Sequence, residues 1–180
     1  MKLVILDRDG VINQDSVSFI KSPNEWIPLP GSLEAIALLN QSGFRVAIAT
    51  NQSGIARGLF DMATFNAIND KMHRALAHVG GRIDAMFYCP HAAEDHCECR
   101  KPKTGMIDDI SRRFSVDLSE VYGVGDALRD LRAYADAGCK PILVSTGKGE
   151  ETLAHCDLPR GTLVFADLNE AVQHIIMEHD

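Results

Sequence analysis

The first apolar run, Leu3-Val4-Ile5-Leu6, leads straight into Asp7-Arg8-Asp9-Gly10-Val11-Ile12-Asn13. Two carboxylates two residues apart at a strand end can divide the labour of phosphoryl transfer. One attacks phosphorus while the other handles the leaving-group proton. Standing alone, the same pair can simply cap a turn. Three more polar clusters follow apolar runs. Thr50-Asn51-Gln52-Ser53-Gly54 offers a hydroxyl and fresh backbone N–H groups, which can hold a phosphoryl oxygen. Arg100-Lys101-Pro102-Lys103 is a basic patch in an acidic chain, a local source of the cations phosphate needs. Gly123-Val124-Gly125-Asp126-Ala127-Leu128-Arg129-Asp130 puts Asp126 at a strand end and Asp130 one helical turn later on the same face. Asp126 suits Mg²⁺, which takes one or two carboxylates plus phosphate oxygens. The N-cap of the following helix is its other reading.

A second kind of chemistry lies between Tyr88 and Arg100. Cys89, His91, Cys97 and Cys99 supply three thiolates and an imidazole, the donor set of a tetrahedral structural zinc site. Cys-Pro-His pairs closely with Cys-x-Cys, which favours His91; His96 is the alternative imidazole. The zinc has no open position and is read as structural, fixing a loop that ends at Arg100-Lys101. Five cysteines, three of them within this loop, fit a reducing compartment better than a disulfide framework. Cys139 and Cys156 lack ligand spacing and are read as packed or idle thiols.

Alternating strands and helices must position these groups. Strands are expected at 3–6, 46–49, 86–88, 121–124, 142–144 and 163–165. Helices are expected at 32–40, from 62 to about 79 behind an Asp61 cap, from 104 through Phe114, at 128–137 and at 167–178. This order predicts a doubly wound, Rossmann-like parallel α/β sheet. Ligands then bind outside the carboxyl ends of the strands, near the switch point. Two connections are long, 8–31 and 89–103, as functional or metal-clipped loops are. Trp26 is expected to anchor the first of them.

At 180 residues the chain reads as one domain over 1–180, with the zinc loop 89–99 inserted after the third strand. A net charge of −7 argues against nucleic-acid or membrane-surface partners. No apolar run approaches the ~20 residues a membrane helix needs. The N-terminal run is too short for a signal peptide. A cytoplasmic, monomeric protein is expected.

The order Asp-x-Asp, Thr, Lys, Gly-Asp-x-x-x-Asp, each at a strand end or on the loop beside it, resembles the haloacid-dehalogenase-like phosphatases over essentially the whole chain. The resemblance implies a core without a large cap domain. It makes Asp7 the nucleophile and Asp9 the acid and base. Mg²⁺ would sit on Asp7, Asp126 and the Asp9 carbonyl. Thr50 and Lys101 would neutralise phosphoryl oxygens, and Asp130 would orient Lys101 or the metal-bound waters. With the zinc loop, the stretches DRDGVIN, ATNQSGIARG, CRKPKTGM and VGDALRD are similar to those of the D-glycero-D-manno-heptose 1,7-bisphosphate 7-phosphatase family. That likeness implies a small phosphorylated sugar as substrate, cleaved at C7 in nucleotide-heptose synthesis for surface glycans. Asn51, Gln52, Ser53 and Arg100 would meet the sugar, and Arg57, Arg100 or Lys103 the distal phosphate. Two positions depart from many relatives: Asp15–Ile20 replaces a Gly-Tyr pair, and Ala127 stands where some have Lys. Both bear on the anomer and sugar preferred.

Histidinol-phosphate phosphatases share the start, the zinc loop and the CRKP stretch, and form the alternative reading. Their second motif typically reads TNQDG, whereas Ser53 stands here. A phosphoacceptor signalling module would need a carboxylate after the third strand, where this chain has Tyr88-Cys89-Pro90. A catalytically degenerate zinc module has no support, because every catalytic position is filled.

Overall fold

The computed structural model describes residues 1–155 and 157–179, so Cys156 lies outside the described residues. Its strands are β1 (Leu3–Leu6), β2 (Arg45–Asn51), β3 (Ala85–Cys89), β4 (Tyr122–Gly125), β5 (Lys140–Val144) and β6 (Leu163–Phe165). Its helices are α1 (Ser32–Gln41), α2 (Met62–His78), α3 (Gly105–Phe114), α4 (Leu128–Ala137), α5 (Gly149–His155) and α6 (Leu168–Met177). All strand pairs are parallel, in the order β3-β2-β1-β4-β5-β6. This is the doubly wound sheet expected from the sequence.

The two faces of β1 show how the sheet is held. Val4 and Leu6 enter one core with α1, α2 and α6, while Leu3 and Ile5 enter the other with α3 and α4. Side chains alternate along a strand, so only a continuous apolar run can feed two cores at once. Among the described residues, no helix is long and apolar enough to cross a membrane.

The strand order reverses between β1 and β4, which pair with Leu6 opposite Val124. Loops leaving these two strands run to opposite sides and leave a crevice between them. Asp7 and Asp126 are the residues that step off those strand ends.

Three local features differ from the sequence reading. β2 continues two residues past its apolar run, because Thr50 and Asn51 still pair with Tyr88 and Cys89. Thr50 therefore sits within a hydrogen-bonded strand rather than on a loose turn. The N-cap of α4 is Ala127 rather than Asp126, and Asp130 reaches back to the exposed amides there. Helix α5 has only seven residues and leaves Leu153 exposed, so no apolar stripe announced it. Asp61 does cap α2, accepting from the Thr64 amide at 2.8 Å.

The long loop after β1 is fastened at Trp26, which is 1% exposed within the first core. Lys71 of α2 donates to the carbonyls of Pro23 and Trp26 at 2.7 and 2.8 Å. Trp26→Ala should cost about 3–5 kcal/mol of stability, read from urea unfolding midpoints. A loss below about 1 kcal/mol would mean that the loop is held by its polar contacts instead.

Candidate active site

Asp7 follows β1 directly and is nearly buried. Its Oδ1 accepts from the Arg8 amide at 2.8 Å and lies 3.1 Å from Lys101 Nζ. Among the described residues no hydrogen bond reaches Oδ2, so one oxygen is pinned and the other is free to react. Lys101 is fully buried. Its ammonium also meets Asp130 Oδ1 at 2.8 Å and donates to the Ala49 carbonyl at 2.7 Å. Two carboxylates and one carbonyl thus surround the ammonium.

Lys101 is positioned from both ends. The Asn51 side chain accepts from the Lys101 amide and donates to the Lys101 carbonyl, both at 3.0 Å. Asn51 lines the cavity, as expected, but its amide is spent on holding Lys101. Asp130 Oδ2 takes the amides of Asp126 and Ala127 at 3.2 and 3.1 Å. Its other oxygen goes to Lys101, which leaves Asp130 committed to orienting the lysine.

Thr50 is 1% exposed, and its hydroxyl oxygen accepts from Gln52 Nε2 at 3.0 Å. The hydroxyl proton is thereby left for an incoming oxygen. Gln52, expected on the substrate wall, is turned inward and also donates to Asp9 Oδ2 at 3.3 Å. Asp9 Oδ1 accepts from Arg8 Nε at 2.8 Å and from Asn13 Nδ2 at 2.9 Å.

Asp7, Asp126 and Asp130 each bring an oxygen within 4.8 Å of the others, a donor set suited to a hard cation. Asp130 is already occupied, so Asp7 and Asp126 are the carboxylates left for metal. The backbone closes tightly over Asp126: its Oδ2 accepts from the Lys148 amide at 2.9 Å. A Cβ at Gly10 (φ +85°) or Gly147 (φ +56°) would collide with that carboxylate. Glycine serves both the left-handed conformation and the close approach.

Burial, then the charge of Asp130, pushes Asp7 up to about 7 from its ordinary 3.8. Burial, then Asp130 and Asp7, pushes Asp126 up to about 8. Burial works against the charged form of Asp130 too, but Lys101 and Arg129 outweigh it and hold its pKa down. At Asp9, burial is likewise outweighed by the Arg8 charge and the bonds from Arg8, Asn13 and Gln52, so its pKa falls.

The four zinc-type donors converge. Cys89 Sγ lies 3.0 Å from Cys99 Sγ and 3.6 Å from Cys97 Sγ, and Cys97 to Cys99 is 3.6 Å. His91 Nδ1 is 3.6 Å from Cys89 Sγ and 3.3 Å from Cys99 Sγ. A tetrahedron with Zn–S bonds of about 2.3 Å has edges of about 3.8 Å, so the cluster fits zinc with slight expansion. His96 is not among the converging donors. Arg100 Nη1 donates to the His91 carbonyl at 3.4 Å, linking the loop to the site.

Above these groups lies a cavity of about 220 Å³, walled by Asp7, Asp9, Thr50, Asn51, Ser53, Arg57, Arg100 and Lys101, all expected from the sequence. Gln52, Asp126 and Asp130 do not line it. Lys103 is also absent from the wall; it faces Glu98 at 3.4 Å on the exposed side of the zinc loop. Asp15, Ser16, Val17 and Phe19, from the segment expected to bear on the sugar preferred, also line the cavity, and the structure adds two wall residues to which the sequence assigned no role: Arg129 and Lys148. Arg129 Nε is buried with no hydrogen-bond partner among the described residues. Its place three residues after Asp126 was the available signal. Lys148 pairs with Asp15 across 3.6 Å.

The raised carboxyls have a thermodynamic consequence. A group whose folded pKa exceeds its unfolded value stabilises the fold fully below about pH 4, and that stability is lost as pH rises through the folded value. Metal-free protein should therefore lose stability between about pH 4 and 8. A divalent cation on Asp7 and Asp126 relieves the repulsion. Mg²⁺ should raise Tm more at pH 8 than at pH 6 in thermal scans, and an equal or reversed difference would contradict these assignments.

The family model described as HAD-hyrolase-like matches residues 98–171. The chain is 62% identical over 178 residues to the D-glycero-beta-D-manno-heptose-1,7-bisphosphate 7-phosphatase of Bordetella bronchiseptica, covering 99% of both chains. It is 51% identical to the enzyme of the same name from Neisseria meningitidis serogroup A, covering 99% of this chain and 97% of that one. A crystal structure of D,D-heptose 1,7-bisphosphate phosphatase from B. bronchiseptica, complexed with magnesium and phosphate, superposes with a TM-score of 0.98 at 62% identity, covering 99% of each chain. With Asp7, Lys101, Thr50 and Asp126 gathered at one switch point, this chain belongs to the D-glycero-D-manno-heptose-1,7-bisphosphate 7-phosphatase family of haloacid-dehalogenase-like hydrolases.

Proposed function

We propose that the protein hydrolyses the C7 phosphate of D-glycero-D-manno-heptose 1,7-bisphosphate through an aspartyl-phosphate on Asp7. The observation that carries this reading is end-to-end similarity to heptose bisphosphate phosphatases together with Asp7, Asp9, Thr50 and Lys101 on one cavity wall. Asp7 Oδ2 attacks phosphorus, and the bond from phosphorus to the C7 oxygen breaks. Asp9 gives its proton to the departing alkoxide, then takes one from the water that attacks the aspartyl-phosphate. Inorganic phosphate leaves and Asp7 is restored. Asp9 is held as a carboxylate in the free protein. A phosphate dianion beside it raises its proton affinity, so Asp9 takes up a proton from solvent as substrate binds and has one to give in the first step. Lys101 and the Thr50 hydroxyl stabilise charge on the transferring oxygens.

Asp7, Asp126 and the Asp9 carbonyl would hold Mg²⁺, which supplies charge neutralisation at the phosphoryl oxygens. The magnesium complex of the B. bronchiseptica enzyme supports this choice. Cys89, His91, Cys97 and Cys99 would hold a structural Zn²⁺.

The cavity wall supports a doubly charged substrate. Arg57, Arg100 and Arg129 face it, while Lys148 and Asp15 pair with each other on the same wall. A distal phosphate finds cations there; the ammonium and imidazole of histidinol phosphate would find like charge. At about 220 Å³ the cavity is smaller than the ~300–1,000 Å³ typical of enclosed ligands, so an extended sugar projects into solvent.

Two measurements test this assignment. First, kcat/KM for heptose 1,7-bisphosphate should exceed that for histidinol phosphate by at least about 10²-fold, with phosphorus NMR showing release from C7. Preference for histidinol phosphate, or release from C1, would overturn the substrate. Second, protein purified without chelator should carry one zinc per chain by elemental analysis. Cys97→Ser should lower the zinc content and reduce turnover by about tenfold or more, because the loop presenting Arg100 and Lys101 loosens. Metal-free protein with normal stability and turnover would remove zinc from the account.

A further inference from the structure

The residue between the two motif aspartates does something the motif does not specify. Arg8 is fully buried and is absent from the cavity wall, so it cannot touch substrate. Its guanidinium makes one ion pair, Nε to Asp9 Oδ1 at 2.8 Å. Nη1 donates to Asn69 Oδ1 of α2 at 3.3 Å, and Nη2 has no partner among the described residues. The guanidinium carbon lies 5.8 Å from the centre of the Phe65 ring, also on α2.

Burying a guanidinium with a single carboxylate and an Nη2 group that has no partner among the described residues is unfavourable; an apolar side chain of similar length would fill the space at less cost. The contact it makes falls on the group that must meet the leaving oxygen. Asp9 is on a loop, with its side chain 21% exposed. Asn13 and Gln52 supply only neutral donors to it. Arg8 contributes the charged one, and Asn69 ties that arginine to a helix packed in the first core.

We propose that Arg8, braced by Asn69, is a positioning residue that fixes the Asp9 carboxylate for proton transfer to and from the leaving group. This rests on the acid/base reading of Asp9. Phe65 closes the far side of the guanidinium, so the Asn69–Arg8–Asp9 chain connects α2 to the chemistry without reaching the cavity.

The test compares a sugar phosphate with p-nitrophenyl phosphate in the phosphorylation step. A sugar alkoxide needs a proton as it leaves, and p-nitrophenolate barely does. Arg8→Met should slow the sugar phosphate by about 30-fold or more and the aryl phosphate by less than about 3-fold. Arg8→Met combined with Asp9→Asn should be no slower on the sugar than Asp9→Asn alone, since both remove the same function. Asn69→Leu, which keeps both charges, should show the same selectivity at about 3- to 10-fold and decides the matter if Arg8→Met does not fold. Equal losses on both substrates, or additivity with Asp9→Asn, would overturn the role of Arg8. Equal losses in Asp9→Asn itself would overturn the acid/base reading and this role with it.

Discussion

Everything at the carboxyl edge of this sheet depends on one buried ammonium. Asp7, Asp126 and Asp130 bring oxygens within 4.8 Å of one another in a nearly dry setting. Three carboxylates so placed cannot all ionise unless cations answer them. Lys101 answers two, at 3.1 and 2.8 Å. Burial alone would strip its proton, yet Asp130 and Asp7 hold its pKa above the ordinary value. Asp126 is left unanswered, and Asp7, although paired with Lys101, is still pushed upward by burial and by Asp130 beside it. That residual is the electrostatic definition of a divalent-cation and phosphate site.

The surrounding structure keeps that ammonium in place. It arrives on a loop rather than on a strand, and a loop by itself holds a side chain loosely. Three constraints compensate: Asn51 grips its main chain from the end of β2, Asp130 grips its side chain from α4, and the four-donor cluster clips the loop two residues upstream. The cluster stands where a hydrophobic anchor would otherwise be needed. The stretch from Cys89 to Lys103 has few apolar side chains to bury, so metal ligation is the available way to order it. The Cys/His loop and the cavity are thus parts of one arrangement.

Strand ends were legible in the sequence because continuous apolar runs mark strands buried on both faces, and the polar residue that stops each run stands at its carboxyl end. That placed Asp7, Thr50 and Asp126 correctly around one crevice. The Cys/His spacing was legible because ligand spacing is local. Directions of polar side chains were not. Gln52 reads as a pocket residue until Thr50 and Asp9 turn it inward, and the amide of Asn51 is claimed by Lys101, fifty residues away. Arg8 reads as a spacer, because nothing local reveals that Asn69 and Phe65 enclose it. Arg129 and Lys148 reach the wall only through the packing of β4 beside β1 and of β5 beside β4. Such contacts depend on tertiary neighbours, which periodicity does not encode.

The proposed reaction passes through a covalent bond between phosphorus and Asp7. Enzyme quenched in acid during turnover of heptose bisphosphate with Mg²⁺, then reduced with borohydride, converts an acyl phosphate on aspartate to homoserine. Peptide mass mapping should find homoserine at position 7 and aspartate at positions 9, 126 and 130. Unmodified Asp7 under conditions where phosphate is being released, or homoserine at position 126 instead, would contradict it.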